Sequence, residues 1–434
     1  ELQPQAAREA TDEALVLRAP QAYLERWLPA AGGLLQEPMF AGAAARAEQA
    51  RTYSPGSLRP ETARALYGAE LHFSSSRIDV LAGCRFAHFL QYGLRAQERE
   101  PAEFDSRFYG TFVHDVLEYI VQQTEREGGF AAVPRSRVQE LAQERMEQNA
   151  QTLLETFPDS GRTGYLLRRT FDEVTQVVDE LYDELSVSAF RPKFCELEFS
   201  AHGALPGVAF AGERCRGVVE GFVDRVDVWQ SGGRPYVRVV DYKTGKKSFD
   251  YTNVLHGRGL QMLLYLFALV RQGGHLLHGE PLPAGVLYFP ARIERVSVRD
   301  RLAQAEIEKE RRKQLRRSGV LLNSDPVLEA MEPCGGSPRF LPYTLDKEGR
   351  KTGDLASFAQ LAQLERFVFQ TVAALGDELA DGRIDPDPCI RDAKDSACAF
   401  CPYSEVCAGH EQPRWLKKIT AEEFWQTLER REHG

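Results

Sequence analysis

The sequence predicts a protein of the α/β class, and three patterns among its 434 residues indicate this class. A helical block, up to about residue 185, precedes any strand. Two valine-rich runs follow, over 217–229 and 236–243, and the connector 231–235 between them carries the Gly-Gly and Pro of a hairpin loop. Helix and strand signals then alternate towards the end of the chain, which indicates that both kinds of element share one fold.

Capping signals and apolar spacing predict the individual helices. Ser76, with Asp79 three residues later, resembles a capping box and opens a helix that carries Cys84. A second helix, over about 105–127, is predicted by apolar residues at a spacing of four: Phe108, Phe112, Val116 and Ile120. The remaining helical segments are 138–185, 260–270, 300–317 and 354–379, and further strand candidates are 194–199 and 283–290.

The composition is that of a globular protein. Hydrophobic residues make up 43% and charged residues 27%, so wholesale disorder is not expected. The formal net charge of −9 gives no chain-wide basic field, so any contact with nucleic acid has to come from a local groove. The longest uninterrupted apolar run, over 262–270, is too short to cross a bilayer. We therefore expect a soluble, cytoplasmic protein that has no membrane contact.

The chain divides into two parts at about residue 70. Residues 1–70 are rich in Ala, Arg, Gln and Glu and carry no evident chemistry, so we expect a linker or the tail of a preceding domain. Residues 71–434 form the second part. The first residues, Glu-Leu-Gln-Pro-Gln, include no initiator Met, basic segment or apolar leader, so we expect a piece of a longer polypeptide.

Two aspartates and a lysine in the predicted hairpin suit a metal-dependent hydrolytic site. Side chains alternate across a strand, so Asp241 and Lys243 project from one face, which Asp224 on the antiparallel neighbour can reach. Carboxylates are the oxygen ligands that Mg²⁺ prefers, and a lysine can orient water or stabilise negative oxygens, as phosphodiester hydrolysis requires. The alternative is a surface hairpin with ordinary salt bridges. Asp227 could replace Asp224 only through a bulge; otherwise it pairs with Arg225.

Two helical pairs could contribute to the same pocket. His114 and Glu118 are four residues apart on one helix face, and His114 could ligate a metal or bind phosphate. Gln261 and Tyr265 repeat this spacing on the helix after the hairpin, where they would suit contacts with the DNA backbone or with water. The alternatives are a packed histidine in the first case and polar positions at the edge of the core in the second.

The eight cysteines are too sparse for a disulfide scaffold, but three of them are clustered. Cys398, Cys401 and Cys407 supply three thiolates within ten residues, which suggests a metal or cofactor site in a reducing compartment. On spacing alone, the site could hold zinc or an iron–sulfur cluster. The fourth ligand remains open among three further cysteines: Cys84, Cys334 and Cys389.

Four motifs, taken in order, resemble the RecB-type nucleases of the PD-(D/E)XK superfamily. They are Gly110-Thr111-Phe112-Val113-His114, Gly221-Phe222-Val223-Asp224-Arg225, Asp241-Tyr242-Lys243-Thr244-Gly245, and Gln261 with Tyr265. The resemblance covers about residues 71–410. It implies a PD-(D/E)XK nuclease core, which is a mixed central sheet flanked by helices, with a large helical insertion, and it implies nuclease action on DNA ends.

The same resemblance implies roles for the candidate residues. His114, Asp224 and Asp241 would ligate the metal, Mg²⁺ or Mn²⁺. Lys243 would be the catalytic lysine. The accessory motif that follows the core would consist of Gln261 and Tyr265.

A second group of motifs is similar to iron–sulfur nucleases, and among these to the nuclease region of the AddB family. The motifs are Thr62-Ala63-Arg64-Ala65-Leu66-Tyr67-Gly68, Ser74-Ser75-Ser76-Arg77, Cys84-Arg85-Phe86-Ala87-His88-Phe89-Leu90 and the late cysteines. The resemblance implies a [4Fe–4S] cluster on Cys84, Cys398, Cys401 and Cys407. The cluster would staple the two ends of the nuclease domain together, with a large effect on loop-closure entropy, and would serve in structure and DNA-end binding.

The likeness to AddB also implies a function and partners. The domain would be the Mg²⁺-dependent exonuclease or endonuclease of a helicase–nuclease that processes double-strand DNA ends for recombinational repair. It would cut the 5′-terminated strand, and an AddA-like subunit would be its heterodimer partner. Residues 1–70 would then join a preceding helicase-like domain that this chain lacks, so Chi scanning and DNA translocation are not expected from these residues.

Two other functions are weighed against this hypothesis. A free-standing exonuclease, similar to CRISPR-associated iron–sulfur nucleases, is disfavoured because such proteins are compact and residues 1–70 would be unexplained. A non-catalytic DNA-end-binding module is disfavoured because Asp224, Asp241 and Lys243 are all intact.

Two basic segments outside these motifs are less specific. The run over 309–317 could track DNA phosphate or form a solvated helix face. The segment over 243–247 resembles a phosphate-binding loop only superficially. Val240 stands where the first glycine should be, and Lys247 replaces the Ser or Thr, so ATP binding is not predicted.

Overall fold

The computed structural model describes residues 56–96, 106–156, 161–245, 248–293, 304–407 and 413–433. Most of the predicted linker, residues 1–55, lies outside the described residues, as do Lys246 and Lys247 of the phosphate-loop-like segment. None of the helices within these ranges is both long and apolar enough to span a bilayer.

Helices and strands alternate along the described chain. The helices are α1 (Pro60–Tyr67), α2 (Ser75–Gly83), α3 (Arg85–His88), α4 (Ser106–Arg126), α5 (Arg135–Thr156), α6 (Gly161–Val187), α7 (Tyr251–Leu255), α8 (Gln261–Gln272), α9 (Gly274–Leu277), α10 (Gln304–Leu315), α11 (Asp325–Met331), α12 (Phe358–Ala380) and α13 (Ala421–His433), and a π-helical turn, Phe89–Gly93, continues α3. The strands are β1 (Leu71–Ser74), β2 (Arg191–Phe199), β3 (Val208–Ala211), β4 (Arg216–Ser231), β5 (Arg234–Lys243), β6 (Leu282–Pro290), β7 (Ser318–Leu322), β8 (Tyr343–Leu345), β9 (Lys351–Gly353), β10 (Leu355–Ala356), β11 (Cys389–Ile390) and β12 (Arg414–Trp415).

A mixed sheet forms the centre of the fold. Its strand order is β1-β4-β5-β6-β7-β10, and β2 and β3 also pair with β4. This is possible because β4 is 16 residues long. Its first half pairs with β1 in parallel and with β3 antiparallel, and its second half pairs antiparallel with β2 and β5. Strands β5 and β6 are parallel. The prediction of a mixed sheet flanked by helices is confirmed.

The β4–β5 hairpin lies where the sequence predicts it, with a tighter turn. Ser231 pairs with Arg234, so Gly232 and Gly233 alone form the turn. Their φ angles of 58° and 76° are the left-handed conformations that a two-residue hairpin turn requires and that glycine adopts without strain.

Helices cover both the sheet and one another. Helices α4, α5 and α6 pack together as the predicted helical block, and α4 also contacts β2 and β4. Helix α8 packs against β5, β6 and α12, and its residues 262–269 are all buried. This run is the longest apolar stretch of the sequence, and its burial between the sheet and a helix explains why it has no polar face.

Part of the expected linker packs on this body. Ala63 and Tyr67 of α1 belong to the buried core, and α1 contacts α12. The backbone N–H of Leu58 donates to the carbonyl oxygen of Gly382 at 2.8 Å. Residues 58–67 are therefore in contact with the body that begins at β1.

The end of the basic run over 309–317 has a structural role. Arg317 is 2% exposed and its Nη2 lies 2.8 Å from Glu184 of α6. Arg316 donates from Nε to the carbonyl oxygen of Leu341 at 3.2 Å. The two residues are therefore engaged within the protein, and neither a solvated helix face nor a contact with DNA accounts for them.

Candidate active site

The two predicted aspartates converge at one end of the β4–β5 hairpin. Arg225 pairs with Val240, and continuing this register puts Asp224 opposite Asp241 on the same face of the sheet. The Asp224 carboxylate accepts a hydrogen bond of 2.7 Å from the backbone N–H of Tyr242. The negative charge of Asp241 contributes to the raised pKa of Asp224, so the two carboxylates are close to each other.

Lys243 lies on the same face as Asp241. Its ammonium group contacts the Asp241 carboxylate, which is almost completely buried. The Lys243 nitrogen is also 5.9 Å from the centre of the Tyr288 ring. The amine is therefore held beside the carboxylates at the carboxyl end of β5.

His114 reaches this point from α4. Its Nε2 is 2.9 Å from the carbonyl oxygen of Tyr242, and its Nδ1 is 3.5 Å from the Asp224 carboxylate. A carbonyl can only accept, so Nε2 carries the proton and a neutral His114 has a lone pair on Nδ1. Burial lowers the pKa of His114 and so favours the neutral form that ligates metals.

Glu196 of β2 joins the group, although no motif in the sequence assigned it a role. The ligand atoms of His114, Glu196 and Asp224 all lie within 4.8 Å of one another. Strand β2 pairs Cys195 with Arg225 and Leu197 with Val223, so Glu196 lies opposite Asp224. Its φ of 47° is unusual for a residue with a side chain. In the sequence, the signal that could have indicated Glu196 is its alternation with Leu197 along the predicted strand.

The site has an excess of negative charge. Burial first, and then the charge of Asp241, raise the pKa of Asp224 to about 8. Burial, together with the charges of Glu118 and Asp241, also raises the pKa of Glu196. The ammonium group of Lys243 is in contact with Asp241. Carboxylate oxygens with one imidazole nitrogen suit a hard divalent cation, which would relieve the repulsion.

Tyr265 supports the strand that carries Asp224. Its ring stacks on Phe199 with centroids 4.9 Å apart, and its hydroxyl donates to the carbonyl oxygen of Glu220 at 3.3 Å. A Cβ at Gly221 would lie 2.1 Å from this hydroxyl, which explains the glycine in the second motif. Tyr265 is 1% exposed, so its side chain is not accessible for the expected contact with DNA. Gln261 is the half-buried first residue of α8.

The face of the sheet behind the site carries a buried ionic network. Arg225 donates from Nε to Asp227 at 2.8 Å, so the expected pairing of these two residues is confirmed. Arg238 binds both Asp227, at 2.7 Å, and Glu184 of α6, at 3.2 Å. These groups are almost completely buried.

Cys84 and the three late cysteines lie in two segments that are held together. Burial raises the pKa of the Cys84 thiol to about 11, and the charge of Cys398 contributes, so the two thiols are near each other. Arg85 pairs with Asp387 at 2.5 Å, and Arg414 donates to the carbonyl oxygen of Ala82 at 2.6 Å. These contacts bring the start of the fold against its end.

The other two candidates for a fourth ligand are engaged elsewhere. Cys389 is buried in β11, where its thiol donates to the carbonyl oxygen of Ala82. Cys334 is exposed and donates to the carbonyl oxygen of Gly336. Among the described residues, no three of the four sulfurs of Cys84, Cys398, Cys401 and Cys407 lie within 4.8 Å of one another.

Comparison with known proteins agrees with this geometry. The chain is 34% identical over 357 residues to the B subunit of the ATP-dependent helicase/deoxyribonuclease of Moorella thermoacetica, a match that covers 81% of this chain and 31% of the relative. Proteins of the same name from Thermoanaerobacter sp. (strain X514) and Oceanobacillus iheyensis are 29% and 28% identical, over 84% and 81% of this chain and 33% and 31% of those relatives. The chain thus spans about a third of their length. The sequence profile described as the PD-(D/E)XK nuclease superfamily matches residues 72–408, and the chain therefore belongs to that superfamily.

Proposed function

We propose that this chain is the nuclease region of a helicase–nuclease and that it hydrolyses DNA phosphodiester bonds with Mg²⁺ or Mn²⁺. The observation that carries the proposal is the convergence of His114, Glu196 and Asp224 within 4.8 Å, beside the contact between Asp241 and Lys243. The names of the relatives, which combine helicase and deoxyribonuclease, support the same function.

Each side chain has a role that follows from its chemistry. His114 through Nδ1 and the carboxylates of Glu196, Asp224 and Asp241 would hold the cation. When bound, a divalent cation supplies charge neutralisation at the phosphate and lowers the pKa of water. Lys243 would orient the attacking water or stabilise the phosphate oxygens, because its ammonium group is fixed against Asp241. Tyr265 and Gln261 would act as the accessory motif, the former by supporting β4.

The test is cleavage of end-labelled linear DNA by the chain and by Asp241→Asn. This change keeps the size of the side chain and removes its charge. We expect cleavage to fall by at least about 100-fold, because a catalytic cation contributes several kcal/mol and each 1.36 kcal/mol is a factor of ten. Glu348→Gln, at an exposed ion pair with Arg350, is the control and should cleave normally. Full activity of Asp241→Asn would remove the assignment of the site.

We further propose that Cys84, Cys398, Cys401 and Cys407 hold a [4Fe–4S] cluster. Four thiols from two segments fit the donor set of such a cluster. A zinc ion could use the same four donors. The motifs around Cys84 and the late cysteines, which are similar to those of iron–sulfur nucleases, favour the cluster.

The wider assembly belongs to the same proposal. Double-strand DNA ends and the unwound single strand would be the substrates, the 5′-terminated strand would be cut, and an AddA-like subunit would be the partner. Residues 1–70 would connect the nuclease region, residues 71–434, to a helicase-like domain. Labelling either the 5′ or the 3′ end of the DNA in the cleavage assay tests the choice of strand.

A further inference from the structure

Arg292 is an exposed cation held on an aromatic ring. It is the second residue after β6, and its guanidinium carbon lies 4.9 Å from the centre of the Tyr109 ring. Tyr109 is 8% exposed and forms a fixed platform on α4. Within the ranges that the structure describes, no carboxylate forms an ion pair with Arg292, which is exposed while its guanidinium lies on the ring.

The platform lies at the edge of the sheet that carries the candidate site. Strands β5 and β6 are parallel, and Lys243 is in register with Pro290, so both carboxyl ends are at this edge. The backbone N–H of Ala291, next to Arg292, donates to the carbonyl oxygen of Lys243 at 2.8 Å. Helix α4 reaches the same edge, because a Cβ at Gly110 would lie 3.5 Å from the hydroxyl of Thr244.

The charges of the site create a need for such a group. Glu196, Asp224 and Asp241 repel the phosphates of an approaching strand, and the net charge of −9 provides no general attraction. A bound divalent cation and Lys243 together balance these three charges, so the site has no excess positive charge with which to hold the neighbouring phosphates of the strand. A guanidinium beside the site matches phosphate oxygens with a planar pair of donors, and its position on a ring reduces the freedom that binding would remove.

We infer that Arg292, supported by Tyr109, binds a DNA backbone phosphate that flanks the one to be cut. This inference rests on the proposed nuclease function and assigns a residue that positions the substrate strand.

The test measures binding of a labelled single-stranded oligonucleotide to the 434-residue chain at several NaCl concentrations, with Ca²⁺ in place of Mg²⁺. Arg292→Ala should weaken binding about tenfold, the value of one charge-assisted hydrogen-bonding group. The slope of log K against log salt should fall by about 0.7, the effect of losing one phosphate contact. Arg292→Lys should keep the slope of the wild-type chain and recover part of the affinity, because it retains the charge without the planar fork. Tyr109→Leu should give an intermediate loss.

Arg137→Ala is the matched control. Arg137 pairs with Glu127. Glu127 lies just beyond the end of α4, about 27 Å along the helix axis from Tyr109. This variant should bind DNA like the wild-type chain. Mn²⁺ affinity should be unchanged in every Arg292 variant, because Arg292 is not a ligand.

The outcomes separate this inference from the proposed function. If Arg292→Ala and Arg292→Gln both bind DNA with the affinity and salt slope of the wild type, the inference is overturned, whether or not the chain cleaves DNA. A wild-type chain that binds neither Mn²⁺ nor DNA overturns both. A chain that loses DNA affinity in the Arg292 variants but never cleaves supports the phosphate contact and removes the nuclease proposal.

Discussion

Tyr242 connects the candidate metal ligands through its own backbone. Its N–H donates to Asp224 at 2.7 Å, and its carbonyl oxygen accepts from His114 at 2.9 Å. On the opposite face, its buried hydroxyl accepts a hydrogen bond of 2.9 Å from Arg225. The side chain of Tyr242, between Asp241 and Lys243, therefore does not face the site, but its backbone fixes the distance between two candidate ligands.

Removing the Tyr242 hydroxyl should loosen the site. Tyr242→Phe keeps the ring but leaves Arg225 with one partner fewer, so we expect Mn²⁺ affinity to fall about threefold to tenfold, as for other groups that orient metal ligands. Calorimetric titration of Mn²⁺ measures this. Tyr182→Phe, which removes a hydroxyl bonded to the Val133 carbonyl in the helical block, is the control. Equal affinities in Tyr242→Phe and the wild type would contradict this role.

Metal binding should also depend on pH through Asp224. Its pKa, raised to about 8, exceeds its ordinary value of 3.8, so the folded metal-free protein keeps a proton that the unfolded chain releases. This group therefore stabilises the metal-free fold most below about pH 4, and its contribution is lost as the pH rises towards 8. A cation has to displace the proton, so Mn²⁺ affinity should rise between pH 6 and pH 8, by up to about tenfold per pH unit.

Titrations of Mn²⁺ at pH 6, 7 and 8 measure this dependence. In Asp224→Asn the affinity should be lower and its pH dependence weaker, because the titrating group is absent. Burial lowers the pKa of His114 and favours its neutral form, which weakens any contribution of that residue to the same trend. An affinity that is constant from pH 6 to pH 8 in the wild-type chain would exclude proton competition at Asp224.

The site residues differ in how far local sequence could predict them. The shared face of Asp241 and Lys243 follows from strand alternation, and the structure has the two side chains in contact. Glu196 could not be predicted in the same way. Its contribution depends on the pairing of β2 with β4, a contact between distant segments, and on a local φ of 47° that no propensity indicates.

At the scale of elements, α2 and α3 are held against the segment around β11 and β12 that carries the late cysteines. Arg85 and Asp387 pair across this contact, and so do Arg414 and Ala82. Spacing alone could not choose Cys84 over Cys389, because both cysteines meet the other segment: Cys389 donates to Ala82 from within β11. The choice of Cys84 came from its resemblance to a family motif, and the structure adds its proximity to Cys398.

The cluster proposal predicts a specific loss in Cys401→Ala. Purified without oxygen, the wild-type chain should contain about four iron atoms and as many acid-labile sulfides. Cys401→Ala should lose most of this iron and become more sensitive to proteolysis, because the cluster would close a loop of more than 300 residues. Cys334→Ala, at an exposed cysteine outside the group, is the control and should retain its iron. Zinc in place of iron in the wild-type chain would refute the assignment.

At the scale of the whole molecule, one buried network joins the helical block to the sheet. Glu184 of α6 lies 3.2 Å from Arg238 of β5 and 2.8 Å from Arg317, just before β7. Burial alone would raise the pKa of Glu184, but Arg317, Arg238 and Arg225 lower it, so the group is ionised. The α/β class could be predicted from local patterns. This network could not, because it joins three charged residues that are distant in the sequence and resemble surface positions.

Glu184→Gln should therefore destabilise the fold far more than an exposed change of the same kind. The amide keeps the shape of the side chain but leaves the buried guanidinium groups of Arg225 and Arg238 with Asp227 as their acidic partner. Arg317 keeps only the more distant Glu180, at 3.8 Å. Breaking a buried ion pair in this way costs about 3–5 kcal/mol in the free energy of unfolding. Urea unfolding measures it, and Glu140→Gln, at an exposed pair with Arg137, should cost less than about 1 kcal/mol. Equal stabilities of the two variants would show that the network does not hold the helical block on the sheet.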